Sequence, residues 1–385
     1  MEIVIKYKKI KFNVLDFIAL LLLLMSMLRP FAPTGIRPLF FIFKAISMGI
    51  VFIYSMLIKR SKKSIIPILF FAFSIFFSSI YNHRSIENKL ISLSDAFLFI
   101  NMFLLLDNMV CKYNLSDIII CLKRVLIVYL IITDISTFFT PISNNAFYFI
   151  GTKFVVSYLH IFYLTLTMYK IPELNKGVPI FKVILFYFYS LFIICRIGCS
   201  TGLVGLTIAF LLGLFIRKKE TILAPKNILI IILVSFIIFI NLSVMLNFQP
   251  IQNVIVNILG EDLSLTGRIQ IYEKLNLVIK NNFLFGYGFE NTAVANLVGY
   301  GNAQNGIYEI IVNYGIFGLV SFIICVFMSC RKVKYTTNII KPFNIMLVVL
   351  SIISIIEISF NYYYIFSLAM IFAIKNNDKL ETGGE

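Results

Sequence analysis

Apolar residues fill this chain in long blocks, separated by short segments that are basic or polar. The blocks run over Val14–Leu28, Leu39–Ile58, Ile65–Ile80, Leu90–Leu106, Ile118–Phe139 and Phe154–Tyr169. They continue over Ile180–Ile194, Gly202–Ile216, Ile228–Leu246, Ile307–Met328, Phe343–Phe360 and Tyr362–Ile374. Each is near the length at which a helix crosses a bilayer, and a spanning segment must pair its own backbone groups, so the pattern predicts about 12 transmembrane helices. The last run is short, and its border with the eleventh is blurred. The first would pass for a signal sequence, but no small-residue cleavage site follows it, so it reads as a retained first helix.

Composition agrees with the pattern. Hydrophobic residues make up 60% of the 385 and charged residues only 14%. The fold class predicted is therefore an all-α integral membrane protein, a single polytopic domain over residues 1–385 with no visible repeat or low-complexity tract. Six cysteines lie in or beside apolar runs, and with two histidines in the chain no zinc box can be assembled, so no metal or cofactor is expected. The formal charge of +16 would suit nucleic acid in a soluble protein. In a membrane protein it is what the positive-inside rule asks for, and no nucleic-acid partner is expected.

Charge also orients the chain. Counting from the basic amino-terminal "KYKKIKF", every second connection is basic: "KRSKK", then Lys112 with Lys123 and Arg124, then Lys170, Lys176 and Lys182, then "RKKETILAPK", "RKVKYTTNIIK" and the tail with Lys375 and Lys379. Both termini are thus predicted on the cytoplasmic side. The long connection, residues 247–306 between the ninth and tenth helices, then falls on the outer face. "NVIVNIL" and "RIQIYEKLNLVIK" have helix-compatible apolar spacing, so this loop is predicted to fold as a small cap.

Positive charges that defy the inside rule need another reason to exist. Arg29 and Arg37 flank the first outer loop, Arg84 sits in the second, Arg196 ends the seventh helix and Arg268 opens a loop helix. Planar guanidinium groups match phosphate, so this set suits a multivalent anion, while snorkelling to lipid headgroups is the plainer reading for Arg29, Arg37 and Arg84. In "LSLTGRIQIYEKL" Thr266 is a natural N-cap, which would point helix amides and Arg268 at the same anion. Tyr272 shares the Arg268 face one turn on, and Glu273 is close enough to pair with it. Beyond "FGYGFEN", with its glycines and Glu290, Gln304 and Asn305 stand at the membrane surface. Glu309 lies one turn into the tenth helix, where a carboxylate needs a wet cavity or a cationic partner. Gly315 and Gly318 are predicted to let that helix pack closely. His83 reads as a solvated loop residue and His160 as an interhelical hydrogen bond.

"TGR" with an aromatic four residues on, then "NNFLFGYGFEN" and "QNGIYEIIVNYGIFGL", resembles the signature of the O-antigen ligase and Wzy-type polysaccharide polymerase superfamily. The family pattern reads roughly as Ser/Thr-Gly-Arg, an aromatic, "NPLFGxG" and "HNxYLxxLxxxGxxGL". "CRIGCSTGLVGLTIAFLLGL" is similar to its "SRTGLLGLLL" helix start. The resemblance covers about Arg196 to Ser321 and is strongest from Thr266 to Leu319. Two departures stand out. Gln304 occupies the place of the family histidine and cannot be a general base. Ser200 replaces an arginine, with Arg196 one turn earlier.

The resemblance implies a GT-C-like, metal-independent glycosyltransferase in a bacterial plasma membrane. Its substrates would be an undecaprenyl-pyrophosphate-linked glycan donor and an acceptor, with a flippase and a chain-length regulator as partners. Arg268 and Arg196 would hold the pyrophosphate, with Arg29, Arg37, Arg84, Tyr272, Asn305 and Glu309 as further substrate contacts and Gln304 or Glu290 orienting the acceptor hydroxyl. A polymerase of repeat units for capsule or O-antigen is favoured over a ligase of finished chains. From a different class, a flippase or transporter of lipid-linked glycans would instead show inverted repeats and broken helices.

Overall fold

The computed structural model describes residues 2–5, 8–28, 37–58, 62–141, 143, 146–169, 180–215, 224–240, 248–253, 256–257, 268–299, 301–331, 333 and 340–376. In chain order the helices are Val14–Met27 (α1), Arg37–Leu57 (α2), Ile66–Tyr81 (α3), Ile86–Lys112 (α4), Leu115–Phe139 (α5), Lys153–Thr167 (α6), Ile180–Arg196 (α7), Ser200–Phe215 (α8) and Ile228–Ile240 (α9). Three short ones follow, Gln249–Asn253 (α10), Arg268–Asn281 (α11) and Ala293–Val298 (α12), before Gly306–Cys330 (α13), Lys341–Ile353 (α14) and Tyr362–Lys375 (α15). Each predicted apolar run coincides with one helix. By length and composition three of them, α2 from Pro38, α4 and α13, are long and apolar enough to cross a membrane, and α1, α3, α6, α8, α14 and α15 are shorter apolar helices. The strands are two small hairpins that the hydropathy pattern did not predict, Glu2–Ile5 with Lys8–Lys11 and Phe147–Tyr148 with Gly151–Thr152.

Local chemistry sets the helix ends. Asn13 caps α1 by accepting from the Leu15 amide at 3.1 Å. Ser85 does the same for α4 from Asn88 at 3.2 Å, and Asn361 for α15 from Tyr363 at 3.0 Å. Prolines 67 and 342 occupy the first turns of α3 and α14, where no amide partner is needed. The eleventh helix ends at Ile353 rather than at Phe360. Beyond it the Ser359 hydroxyl donates to the Leu350 carbonyl, and the Ser354 and Ile355 carbonyls accept from the Gly306 amide and the Asn305 side chain at 2.9 and 3.0 Å. Those contacts turn residues 354–361 into a strap across the head of α13.

Helices α4 and α15 form the centre of the bundle and pack on each other, while α2, α7 and α9 turn Leu39, Ile46, Ile53, Phe181, Phe188, Ile230 and Leu233 outward. An apolar exterior of this extent belongs against lipid. Buried polar clusters lock the helices internally. Asp16 of α1 takes bonds from Tyr54, Lys112 and Tyr113. His160 of α6 sits between Asp134 of α5 at 3.0 Å and Ser190 of α7 at 3.1 Å, in keeping with its expected interhelical role.

Helix α13 is broken. Gly315 has φ 68 and ψ −169, which removes the amides of Ile316 and Phe317 from the carbonyls of Val312 and Asn313. The segment 283–288 replaces every bond lost: Tyr287 and Gly288 donate to Val312 and Asn313 at 2.8 and 2.9 Å, and Ile316 and Phe317 donate to Phe283 and Leu284 at 2.9 and 3.2 Å. Helix α3 braces the joint. The Ser78 hydroxyl reaches the carbonyls of Phe285 and Asn313, and the Asn82 amide donates to Gly286 at 2.8 Å. A Cβ on Gly286 would sit 2.6 Å from the Asn313 backbone, and one on Gly315 would overlap the Leu284 carbonyl. Gly315 is thus a break point rather than the close-packing residue its place in an apolar run suggests.

Gly315→Ala combines positive φ with this overlap and is expected to cost at least about 2 kcal/mol. Thermal unfolding in detergent should show a lowered midpoint. Gly301→Ala, where no atom lies within 4 Å of the added Cβ, should leave it unchanged.

Candidate functional site

The signature residues converge on the head of α13. In the preceding loop, Ile271, Leu275 and Val278 of α11 pack with Val294, Ala303 and Val312 into a small core of their own. The period of these apolar positions is helical, so α11 lies with one face down on α12 and the start of α13. Tyr287 closes this core by donating to the Val278 carbonyl at 2.8 Å, and burial raises its phenol above the ordinary value, which keeps it a donor. Tyr272 donates to the Gln304 carbonyl at 2.9 Å. Two separate signature segments, "TGR" with its aromatic and "QN", are tied together by that bond.

Arg268 is the first residue of α11, one turn before Tyr272. Its side chain, that of Glu273, and the whole of Thr266 lie outside the described residues, as does Arg29, while Arg37 is described only as the first residue of α2. Arg84 follows α3; its guanidinium donates to the Glu290 carbonyl at 2.6 Å and its stem lies along Gly288. Arg196 is elsewhere on the bundle, over the Phe138 ring at 4.7 Å and donating to the Phe138 carbonyl at 3.3 Å. The structure thus brings Arg84 to the loop and leaves Arg196 against the end of α5. Both keep a buried Nε without a protein partner among the described residues.

Asn305 is the N-cap of α13. Its Oδ1 accepts from Ile307 and Tyr308, both at 3.0 Å, and it is 1% exposed, so its side chain is committed to the helix start and to the strap. Gln304 donates from Nε2 to Asn302 at 2.6 Å. His83, Glu290 and Gln304 are non-glycine residues with φ of 50, 48 and 51. Left-handed backbone costs such residues on the order of 1 kcal/mol each, and all three stand around this loop. Among the described residues no group of three or more His, Cys, Asp and Glu side chains is gathered as a metal ion would require.

Glu309 accepts from the Ala303 amide and from Asn313 Nδ2, each at 2.9 Å, and faces a cavity of about 200 Å³. Across the cavity Asp95 of α4 is ion-paired with Lys44 of α2 and accepts from the Tyr362 hydroxyl at 2.9 Å. Sequence reasoning missed Lys44, Asp95 and Tyr362. The signal was present, since a lysine interrupts the second apolar run and an aspartate the fourth, and charges at membrane depth call for a partner or a cavity.

If the Tyr272 bond holds the loop on the head of α13, Tyr272→Phe should loosen that junction. A hydrogen bond worth about 1 kcal/mol corresponds to about fivefold faster amide exchange over residues 302–306, read by hydrogen–deuterium exchange.

Comparison with known proteins gives one finding for this region. Residues 185–323 match the model of a family described as O-antigen ligase. The match runs from within α7 to within α13 and includes α11, Gln304, the segment 283–288 and the break at Gly315. No curated protein matches the chain.

Proposed function

We propose, from the match of residues 185–323 to the O-antigen ligase family, that the chain is a member of the O-antigen ligase and Wzy superfamily and a polymerase of lipid-linked oligosaccharides. It would join undecaprenyl-pyrophosphate-linked repeat units into capsule or O-antigen chains at the outer face of a bacterial plasma membrane. In this reading the twelve apolar helices span the bilayer in a GT-C-like arrangement with both termini inside. The segment 247–306 is then the outer loop. A flippase would supply the units and a chain-length regulator would set their number.

The observation that carries the reading is the Tyr272–Gln304 hydrogen bond, which sets the amino end of α11 beside the head of α13. That end has the positive pole of the helix and Arg268, a combination suited to a diphosphate. In the transfer, the bond from the sugar's anomeric carbon to the diphosphate oxygen breaks, the acceptor hydroxyl oxygen bonds to that carbon, and its proton passes to the departing diphosphate. Charge grows on the departing diphosphate, so fixed cations there favour the transition state over the bound substrate. Arg84, with its free Nε beside the loop, would widen the clamp. Gln304 and Glu290 would orient the acceptor, since a transition state of oxocarbenium character asks for placement of the hydroxyl more than for its prior deprotonation.

Purified protein supplied with undecaprenyl-pyrophosphate-linked repeat units should give a ladder of products. Single transfer to a foreign acceptor would mean a ligase, and transbilayer movement without new bonds a flippase. Arg268→Ala should abolish the ladder with membrane insertion intact, and Arg268→Lys should restore it poorly because the bidentate contact is lost. A full ladder from Arg268→Ala would sink the diphosphate clamp.

A further inference from the structure

The cavity between α4 and α13 is not explained by a diphosphate clamp. Its charged groups are Asp95, already paired with Lys44 behind it, and Glu309, so no cation is left over to meet a diphosphate. What it holds must be uncharged, or at most weakly cationic.

Two polar atoms in it make no hydrogen bond among the described residues, the Tyr314 hydroxyl and Asp95 Oδ2. Tyr314 is 9% exposed and packs edge-on against Phe71, yet its hydroxyl makes no hydrogen bond among the described residues. Asp95 is 3% exposed and directs only Oδ1 to Lys44 and Tyr362, which leaves Oδ2 without a bond. Both residues line the cavity, where an incoming molecule supplies the partner that each of these atoms lacks in the protein. Phe71, Phe99 and Phe360 complete the wall with flat apolar faces.

The chemistry asked of the occupant is specific. It must donate hydrogen bonds to carboxylates, accept one from a phenol, lie flat on aromatic rings and fit about 200 Å³. A single pyranose ring has these properties: hydroxyls around its rim, a C–H face for the aromatics and no charge. We infer that this cavity is a saccharide subsite that seats one terminal sugar ring of the glycan, with its hydroxyls bonded to Tyr314, Asp95 and Glu309. The inference rests on the reading that the protein handles lipid-linked glycans. It adds where, and by which residues, the sugar itself is held.

Two glycans offer such a ring, the donor at its reducing end and the acceptor at its non-reducing end. The probe is the repeat-unit oligosaccharide released from its carrier by mild acid, presented to the full-length protein in detergent and read by saturation-transfer NMR. Wild-type protein should saturate the protons of one terminal ring, and Tyr314→Phe should weaken the effect about fivefold, as loss of one hydrogen bond predicts. Ile358→Phe, which fills the cavity from the strap, should remove it. Saturation at the non-reducing end assigns the acceptor and at the reducing end the donor; either supports the subsite. No saturation, equal saturation in wild type and Tyr314→Phe, or displacement by excess inorganic pyrophosphate would overturn it. Saturation without a product ladder from lipid-linked units would overturn the polymerase reading and leave the subsite standing. A ladder with saturation indifferent to Tyr314 would do the reverse.

Discussion

In lipid, no backbone amide or carbonyl can be left without a partner, and α13 breaks that rule unless something else completes it. The something is residues 283–288, whose backbone trades bonds with Val312, Asn313, Ile316 and Phe317 around Gly315. Much follows from that exchange. Glycine is required at 286 because the inserted chain touches the helix backbone directly, and at 315 because the helix must turn left-handed there. Ser78 and Asn82 of α3 close on the insert. The loop is thereby fixed to the bundle from below, while Tyr272 fixes it from above. Glu309 and Asn313, between the two attachments, are bonded to each other, and the Ala303 amide holds Glu309 at the cavity that Asp95 also lines.

This explains why some of the architecture could be read in the sequence and some could not. Apolar runs name their helices because in a bilayer a continuous run has one way to pair its backbone. The opening of α11 at Arg268 was also legible, from local spacing. The break was not, since Gly315 in "NYGIFG" reads locally as a packing glycine and its partner lies in a segment with no intrinsic strand character. Nor was the end of α14 at Ile353, where "SIIEISF" is apolar enough to continue a helix but is drawn off by Asn305 and Gly306. The pairing of Lys44 with Asp95 is non-local in the same sense. Each charge was visible in its run, but which charge met which depended on α2 lying against α4.

Charge is divided between the two halves of the site. Guanidinium groups belong to the loop and the ends of helices, Arg84 among them, while carboxylates line the cavity under the head of α13. A lipid diphosphate glycan has the same division, anionic at one end and neutral along the sugars. A site with arginines and carboxylates mixed would neutralise itself by pairing. In the function proposed above, keeping them apart leaves each free for its own part of such a substrate, at the cost of burying Asp95, and Lys44 with Tyr362 offsets that cost.

Position 304 shows how placement and chemistry separate. The family resemblance puts a histidine there, and this chain has glutamine. The bond to Tyr272 is made by the backbone carbonyl, and the left-handed φ of 51 is also a backbone property. Neither depends on the side chain, so a change from histidine to glutamine leaves the loop docked and Asn305 in place as the cap of α13.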